Sequence, residues 1–337
     1  MSLDAVTLAV LKGRLEQIAD EMDATLYRSA FNPIIAEARD ACHGLYQAET
    51  GATLVQGTKG LPIFVGAMSF AVQAVIKRVR AGAGLEPGDT FIFNDPYEGG
   101  THLNDFRLVR PVFRSGKLFC WLASVGHWLD IGGNVPGNYN PRATESHQEG
   151  VRFPPVKLIR AGVMQQDILD ILAANSRVPQ SNWGDLNGQL NALDLGERRL
   201  LELLDDTGDA VVDAAFTALA DRAAALMQAE VEVLPDGHYA FEDYLDNDGV
   251  VDERLTIALD MTVQGGRMTL DFSRSSAACL GPINISYATS VAACFAPYTT
   301  PGTSPSRRVA RAAPLPASAR ATASIRTVWT IARLLQE

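Results

Sequence analysis

Two short motifs repeat a spacing of residue types that bind metal ions. Histidine is scarce, with five residues in 337, yet His102 is followed three positions later by Asp105, and His127 by Asp130. Imidazole nitrogens and carboxylate oxygens are ligands that divalent cations accept together. We therefore predict that His102, Asp105 and His127 bind one metal ion. The alternative is that one histidine caps a loop and the other is an ordinary buried residue at a strand end.

Three further acidic residues are candidates for the same site. Asp130 is a further ligand, orients a ligating histidine or handles a proton, unless it simply caps the glycine turn that follows it. Glu149 is a candidate general base, and a solvated loop glutamate is the alternative. Asp40 is another acid near a histidine, but an ion pair with its neighbour Arg39 is the simpler explanation on sequence alone.

The residues before His102 and after Asp130 form a candidate substrate loop. Polar and glycine residues are concentrated there, and glycine lets the backbone approach a bound molecule closely. Turn formation is the alternative, because Asn and Asp before a proline start turns readily. The candidate loop residues are Asn94, Asp95, Glu98, Gly99, Gly100, Gly132 and Gly133.

Hydrophobic periodicity predicts the elements that position these residues. Apolar residues at spacings of three and four predict helices over about 4–30, 63–81, 165–175, 186–206 and 209–231. Segments 107–113 and 117–124 form a predicted antiparallel pair, so His102 and His127 flank a hairpin and meet at one end of a sheet. The long glycine-rich and proline-rich loop over 131–156 is typical of a segment that lines a site.

Strict alternation after Pro235 predicts a small antiparallel β module. The predicted fold class is therefore α+β, with mixed helices and antiparallel sheet and this β module after residue 235. We expect a metal-site domain over 1–234, the β module over 235–302 as the start of an incomplete second region, and a separate tail over 303–337.

Composition narrows the function. The net charge of −10 disfavours nucleic acid as a partner. We expect no membrane span, because no run of about 18 apolar residues is present. The beginning of the chain does not resemble a secretory signal, and four cysteines without paired spacing favour reduced thiols in the cytoplasm. No G-x-x-x-x-G-K-[ST] phosphate loop is present, so the sequence offers no obvious ATP site.

The tail differs from the rest of the chain. From Ser304 onward it has six arginines and one acidic residue, in an Arg/Ala/Pro/Ser-rich context. A disordered basic tail is one interpretation. The abrupt change favours the other, that a non-native reading frame replaces the true continuation.

Several ordered motifs resemble one known family. They include Phe93–Asp105 (FNDPYEGGTHLND), Gly126–Gly133 (GHWLDIGG), Asp236–Tyr239 (DGHY) and Asp243–Gly249 (DYLDNDG). Together they resemble the hydantoinase B/oxoprolinase family, and the likeness runs from about residue 8 to about residue 298. This family includes N-methylhydantoinase B subunits, the matching half of ATP-dependent 5-oxoprolinase, and the alpha subunits of acetone carboxylase-type enzymes.

The resemblance implies a site and a division of labour. In the carboxylase members it implies a manganese site that falls here on His102, Asp105 and His127, with Asp40 as a further acidic ligand; zinc or iron are the other metals we consider. It also implies that ATP is used by a hydantoinase A-type partner with an actin-like fold, in a hetero-oligomer.

The predicted function is therefore that of a B-type subunit of an ATP-dependent cyclic-amide hydrolase. Its substrates are hydantoin-like or 5-oxoproline-like rings, which metal-activated water opens. The alternatives are an alpha-type subunit of an ATP-dependent ketone carboxylase, and an inactive truncated remnant, because family members continue well beyond the β module.

Overall fold

The structure, a computed structural model, describes residues 3–299, and the predicted tail over 303–337 lies outside them. By contacts the chain divides into two units. The first comprises Met1–Tyr139 and Glu149–Ala220, and the second comprises Asn140–Gln148 and the chain from Asp221 onward.

The described residues form helices and strands in an α+β arrangement, as the periodicity predicts. The helices are α1 (Ala5–Ser29), α2 (Pro33–Ala36), α3 (Pro62–Arg78), α4 (Gln166–Ala174), α5 (Pro179–Thr207), α6 (Asp209–Glu232) and α7 (Tyr287–Thr299). The strands are β1 (Ala41–Gln47), β2 (Thr53–Gln56), β3 (Thr90–Phe93), β4 (Asp105–Arg114), β5 (Lys117–His127), β6 (Val156–Arg160), β7 (Val163–Met164), β8 (Gly237–Leu245), β9 (Leu255–Gln264) and β10 (Arg267–Asp271).

The first unit is built on a seven-stranded sheet with the order β2-β1-β5-β4-β3-β6-β7. All of its strand pairs are antiparallel. Because side chains alternate between the faces of a strand, β5 contributes to two cores. Leu122 packs with α1 and α5 on one face, whereas Trp121, Ala123 and Val125 pack with α3 on the other. The sheet therefore lies between two helical layers.

Helices α1 and α5, which pack on the same face of the sheet, differ in the residues that they bury. Asp4 caps α1 by accepting hydrogen bonds from the amides of Val6 and Thr7, which lack partners within the helix. The predicted stripe of α1, which includes Leu11, Leu15 and Met22, is buried. In α5, the apolar face is interrupted by three buried polar residues. These are Asn182, Asp185 and Gln189.

The hairpin of β4 and β5 is the element that matters most for the site. The strands pair from Asp105 opposite His127 to Arg114 opposite Lys117. Both strands are longer than the predicted segments. They extend to Asp105 and His127, the two predicted metal ligands at this end of the sheet. The tight turn is made by Ser115 and Gly116, which both have positive φ.

The second unit contains the predicted β module. Strands β10, β9 and β8 form a three-stranded antiparallel sheet, with Gly265 and Gly266 turning between β9 and β10. Its core contains Leu234, Tyr239 and Leu259 among other apolar residues. The expectation of a small antiparallel module after residue 235 is confirmed.

One helical stretch departs from the expectation that no segment is long and apolar enough to span a membrane. Pro62–Ala83 meets that criterion by length and composition alone. Phe64, Met68 and Val72 of this stretch are buried against the sheet. A helix that packs into a protein core passes the same test, and 44% of the tested window is buried here.

Candidate metal centre

Three of the predicted metal ligands lie together in the first unit. His102, Asp105 and His127 each offer one ligand atom, and these atoms lie within 4.8 Å of one another. The antiparallel register explains the meeting, because Asp105 begins β4 directly opposite His127 at the end of β5. The predicted convergence is therefore confirmed, while metal binding by these residues stays a prediction.

Asp40 lies beside the same three residues. Its carboxylate Oδ2 is 3.7 Å from His127 Nδ1, and its carbonyl accepts a hydrogen bond from the His127 amide. Asp40 immediately precedes β1, which pairs with β5. Arg39, the expected ion-pair partner in the simpler explanation, instead lies over the ring of Tyr27.

Two of the distances in this cluster suit a small cation. Asp105 Oδ1 is 3.4 Å from His127 Nδ1, and Asp105 Oδ2 is 3.4 Å from His102 Nε2. Ligand bonds of about 2.0–2.2 Å to one ion place neighbouring ligand atoms at such separations. Asp105 and His127 are buried, whereas the His102 side chain is 47% exposed and lies at the open side.

Unpartnered buried atoms provide a test of whether a metal fits. Asp40 Oδ1, Asp105 Oδ1 and His127 Nδ1 are buried and have no hydrogen-bond partner in the structure. Buried polar atoms are rarely left without a partner, because their lost hydration costs free energy. Two imidazoles and two carboxylates are ligands that Mn²⁺, Zn²⁺ and Fe²⁺ accept, so a divalent cation fits this donor set.

Charges in the cluster shift the pKa values of its members. Although part of its side chain is exposed, desolvation by the surrounding protein atoms is the main influence that lowers the pKa of His102, and the nearby His127 and Arg107 act in the same direction. Burial also acts to lower the pKa of His127, but Asp105 and Asp40 outweigh it and raise that pKa. Burial acts to raise the pKa of Asp105, but the two histidines and Arg107 together hold it well below its usual range. Burial and the nearby Asp105 raise the pKa of Asp40 to about 6.

A buried arginine supports Asp105 from behind. Arg107 has no exposed surface, and its guanidinium donates to the Asp105 carbonyl and to the Thr101 hydroxyl. The Thr101 hydroxyl in turn donates to Asp105 Oδ2. Burial lowers the pKa of Arg107 to about 10, so the group stays cationic at neutral pH. This cation stabilises the negative charge on Asp105.

Tyr139 forms an aromatic wall beside the histidines. Its ring lies parallel to that of His127, with 6.1 Å between centroids and an interplanar angle of 11°. It is tilted against His102, with 6.4 Å between centroids. The side chain is 72% exposed, so it borders the site on the solvent side.

Asp130 organises a loop, which is the alternative role that the sequence left open. Its Oδ1 accepts from the amides of Gly132 and Arg177, and its Oδ2 accepts from the Gly137 amide and the Arg177 guanidinium. Burial acts to raise the pKa of Asp130, but these donors lower it below its usual value. Both oxygens are therefore engaged, and Asp130 is not part of the cluster of ligand atoms.

Glu149 is only partly exposed, in the loop that follows the second motif. Burial raises the pKa of its carboxyl group. Its backbone carbonyl accepts from Asn138 Nδ2, and Asn138 also donates to the Gly132 carbonyl. The loop that carries Glu149 is thereby tied to the glycine turn next to Asp130. A raised carboxyl pKa suits a general base that works near neutral pH.

The side chain of Asn94, from the candidate substrate loop, makes hydrogen bonds to the backbone of neighbouring segments. Its side chain donates to the carbonyls of Leu103 and Val151 and accepts from the Phe153 amide. It is fully buried, and these three bonds join three segments of the chain. Asn94 thus supports the loop that carries His102, and a contact from it to substrate stays a prediction.

Asp95 and Glu98 have partners of their own. Asp95 accepts from the Tyr97 amide and lies 3.5 Å from the Arg152 guanidinium, which is the turn chemistry of the alternative interpretation. Glu98 lies 3.4 Å from Lys77 Nζ at the surface.

The loop glycines allow close backbone approaches within the protein. A Cβ at Gly99 would lie 2.5 Å from the Phe70 carbonyl oxygen, and one at Gly132 would lie 2.7 Å from the Asn175 carbonyl oxygen. Both have positive φ, as does Gly133, while Gly100 packs against the Asp95 backbone. These positions therefore need glycine for the fold of the loop, whatever their role towards a substrate.

The sequence matches the Hydantoinase B/oxoprolinase family over residues 4–307. The chain belongs to this family. It is 36% identical over 264 residues to a protein named caprolactamase subunit beta from Pseudomonas jessenii, an alignment that covers 78% of this chain and 45% of the relative. The chain thus spans about half the length of the curated relative.

Two solved structures have the same fold. The crystal structure of the ATP-dependent caprolactamase from Pseudomonas jessenii superposes with a TM-score of 0.79 at 32% identity, over 88% of this chain and 50% of that chain. A nucleotide-free structure of acetone carboxylase superposes with a TM-score of 0.80 over 87% of this chain and 40% of that chain. At 21% identity, the second likeness concerns the fold alone.

Sequence reasoning missed several residues around the site. The sequence could have indicated Arg107, because residues i and i+2 of a strand share a face and Arg107 follows Asp105 at that spacing. No sequence pattern indicates Tyr139, because its position beside His127 depends on the path of an irregular loop. Family membership does not supply these contacts, which come from the structure.

Proposed function

We propose that this chain is the B-type subunit of an ATP-dependent cyclic-amide hydrolase, and that His102, Asp105 and His127, with Asp40, hold a divalent metal ion. The observation that carries the proposal is the convergence of these side chains with buried ligand atoms that lack hydrogen-bond partners. The family and the relative named caprolactamase support the reaction class, because a caprolactam is a cyclic amide. Manganese is the metal we expect.

When bound, the metal supplies Lewis-acid activation for ring opening. The residues of the chain prepare the site for it. The lowered pKa of His102 keeps that imidazole neutral, which is the form that offers a nitrogen lone pair. The lowered pKa of Asp105 keeps its carboxylate charged, and Arg107 stabilises that charge.

Glu149 is the proposed proton acceptor. Its raised pKa makes it a stronger base than a solvated glutamate, whereas the donors around Asp130 make that carboxylate a weaker one. We therefore assign proton transfer to Glu149 rather than to Asp130. Tyr139, the aromatic wall, limits access of water to the histidines from the solvent side.

Metal binding is tested directly on the purified chain. We expect the wild type to bind about one Mn²⁺ per chain after removal and re-addition of metal, as followed by electron paramagnetic resonance. His127→Ala should lose this binding, because it removes a buried ligand. His238→Ala is the matched control, since His238 is an exposed histidine on β8. Equal binding by wild type and His127→Ala would overturn the proposed centre.

The substrate class is tested with the partner present. With a hydantoinase A-type subunit and ATP, we expect hydrolysis of at least one of hydantoin, 5-oxoproline and caprolactam. Product formation from acetone and bicarbonate in the same assay, without hydrolysis of any cyclic amide, would favour the ketone carboxylase alternative.

A further inference from the structure

A continuous chain of hydrogen bonds runs through the core behind the candidate metal centre. Trp128 Nε1 donates to Gln189 Oε1 at 3.0 Å, and Gln189 Nε2 donates to Ser124 Oγ at 3.3 Å. Ser124 Oγ lies 2.9 Å from His43 Nε2, and His43 Nδ1 lies 2.8 Å from Asp23 Oδ1. None of the five side chains belongs to the proposed reaction, and all are buried.

The donors and acceptors fix the direction of this chain. Indole N–H only donates, and an ionised carboxylate only accepts. In the neutral tautomer of His43 that carries its proton on Nδ1, facing Asp23, the ring Nε2 accepts from the Ser124 hydroxyl. The Ser124 oxygen accepts from Gln189. Every bond therefore points from Trp128 towards Asp23, and such aligned bonds strengthen one another.

The order Asp23, His43, Ser124 has the geometry of a serine hydrolase triad, but burial excludes that role. Ser124 and His43 have no exposed surface, so no substrate carbonyl reaches the hydroxyl. A proton path is excluded as well, because one end of the chain is an indole N–H that does not release its proton. The remaining role for this chain is to fix the positions of the elements that it joins.

Those elements are the ones that carry the metal ligands. His43 and Ser124 are opposite each other in the β1–β5 pairing, and the same register brings Asp40, just before β1, to His127 at the end of β5. By alternation, His43 and Ser124 face α1 and α5, whereas Asp105 and His127 face the opposite side of the sheet. This chain of hydrogen bonds thus stabilises the ligand-bearing strands from the opposite face of the sheet.

Gln189 is the link between the chain and both ligand strands. Its Nε2 also donates to the Phe106 carbonyl at 3.0 Å, while its Oε1 holds the Trp128 ring. Phe106 follows Asp105 and Trp128 follows His127, and the two rings stack with 4.1 Å between centroids. One amide therefore fixes the residues next to two of the proposed ligands.

We propose that Gln189 is a positioning residue for the metal centre, and that the chain from Trp128 to Asp23 holds Gln189, β1 and β5 in the register that brings Asp40, Asp105 and His127 together. This inference rests on the proposed metal centre. Groups that hydrogen-bond directly to metal ligands alter metal affinity by about 10–100-fold when replaced. Gln189 acts one residue further away, so we expect the lower end of that range.

The test is a metal titration of the whole polypeptide that carries Gln189→Met. This substitution keeps the side-chain length but removes all of the side chain's hydrogen bonds. We expect the dissociation constant for Mn²⁺, measured by electron paramagnetic resonance, to rise about tenfold. We also expect the visible absorption bands of bound Co²⁺ to shift, because they report the arrangement of the ligands. A variant that was only less stable would leave these bands unchanged.

Gln56→Met is the matched control, because Gln56 on β2 donates its side-chain amide to the Tyr46 hydroxyl in the same unit. It should bind Mn²⁺ as the wild type does. If Gln189→Met does not fold, Ser124→Ala removes only the middle of the chain and should shift the Co²⁺ bands in the same way.

Three results would overturn the inference. Wild-type affinity and unchanged Co²⁺ bands in Gln189→Met, or in Ser124→Ala where that is the folded variant, would exclude a positioning role. An equal loss of affinity in Gln56→Met would mean that general destabilisation is the cause. A wild-type chain that binds no Mn²⁺ would instead remove the proposed metal centre itself, and this inference with it.

Discussion

Asp130 and Glu149 show how two carboxylates in neighbouring loop segments acquire different chemistry. Asp130 accepts four N–H hydrogen bonds, from Gly132, Gly137 and twice from Arg177. Glu149 has a pKa that burial raises. The residue types alone could not separate the two, because a carboxylate after a histidine can ligate, accept a proton or cap a turn. The fold decides by the donors that it brings to each.

Asp130→Asn should lower the free energy of unfolding at neutral pH by about 2 kcal/mol, since it weakens charge-assisted bonds to partly buried donors. The folded-state pKa of Asp130 is below its unfolded value, so its stabilisation is complete above about pH 4 and is lost as the pH falls through the folded pKa. The difference between wild type and variant should therefore shrink in acid.

Urea unfolding followed by tryptophan fluorescence measures this difference, because Trp121, Trp128 and Trp183 lie in the first unit. Asp213→Asn, an exposed residue of α6, is the control and should show little change. A difference between wild type and Asp130→Asn that stays constant down to about pH 3 would contradict the assignment.

Glu149→Gln should lower the rate of ATP-dependent ring opening by about 100-fold or more while Mn²⁺ affinity stays at the wild-type value. The reason is that glutamine keeps the size of the side chain but cannot accept the proton. The exposed Glu145→Gln in the same loop is the control. Unchanged turnover by Glu149→Gln would show that Glu149 is not the general base.

At the level of elements, local patterns predict those parts of the fold that depend on local sequence. The helix stripes predicted α1, α3, α4 and α6 close to their observed bounds, and the turn between 107–113 and 117–124 predicted the hairpin. Helix α5 begins at Pro179, seven residues before its predicted start. The meeting of Asp105 and His127 follows from the hairpin, because its two strands are neighbours in the chain. The metal hypothesis therefore follows from local sequence alone.

What the sequence could not predict depends on pairing between distant segments. Strand β1 inserts beside β5, and only this pairing brings Asp40 to His127 and His43 to Ser124. Gln189 reaches the same place from α5, so the buried chain joins four segments that are far apart in sequence. No spacing rule within one segment contains this information.

One added methyl group should have opposite effects in two elements. Gly116 has a φ of 75° in the β4–β5 turn, and Gly116→Ala should lower the free energy of unfolding by about 1 kcal/mol because alanine is strained there. Gly13 is exposed within α1 and has open space around its Cα, so Gly13→Ala should raise that free energy by about 1 kcal/mol.

Chemical denaturation of the two variants side by side provides the measurement. Each is the control for the other, since both add the same atom at a position with no neighbour within 4 Å. Changes of the same sign in both variants would mean that backbone conformation does not govern these positions.

At the level of the whole molecule, the chain has two units, and the candidate centre lies in the first. The second unit contains the antiparallel module that alternation predicted. The domain boundary at residue 235 was drawn from periodicity, whereas the units are defined by contacts, and it stays a prediction. The cytoplasmic location also stays a prediction, and the four cysteines, all within the described residues, are free.

The last prediction concerns partnership. The chain spans about half of a relative that is named as a subunit, and its sequence contains no phosphate loop. We therefore expect no ATP hydrolysis by the purified chain, and a complex with a co-expressed hydantoinase A-type subunit that survives size-exclusion chromatography. His127→Ala separates assembly from chemistry, because it should still form the complex but should not open the ring. Cyclic-amide hydrolysis by the isolated chain, without ATP or partner, would show that the proposed division of labour is wrong.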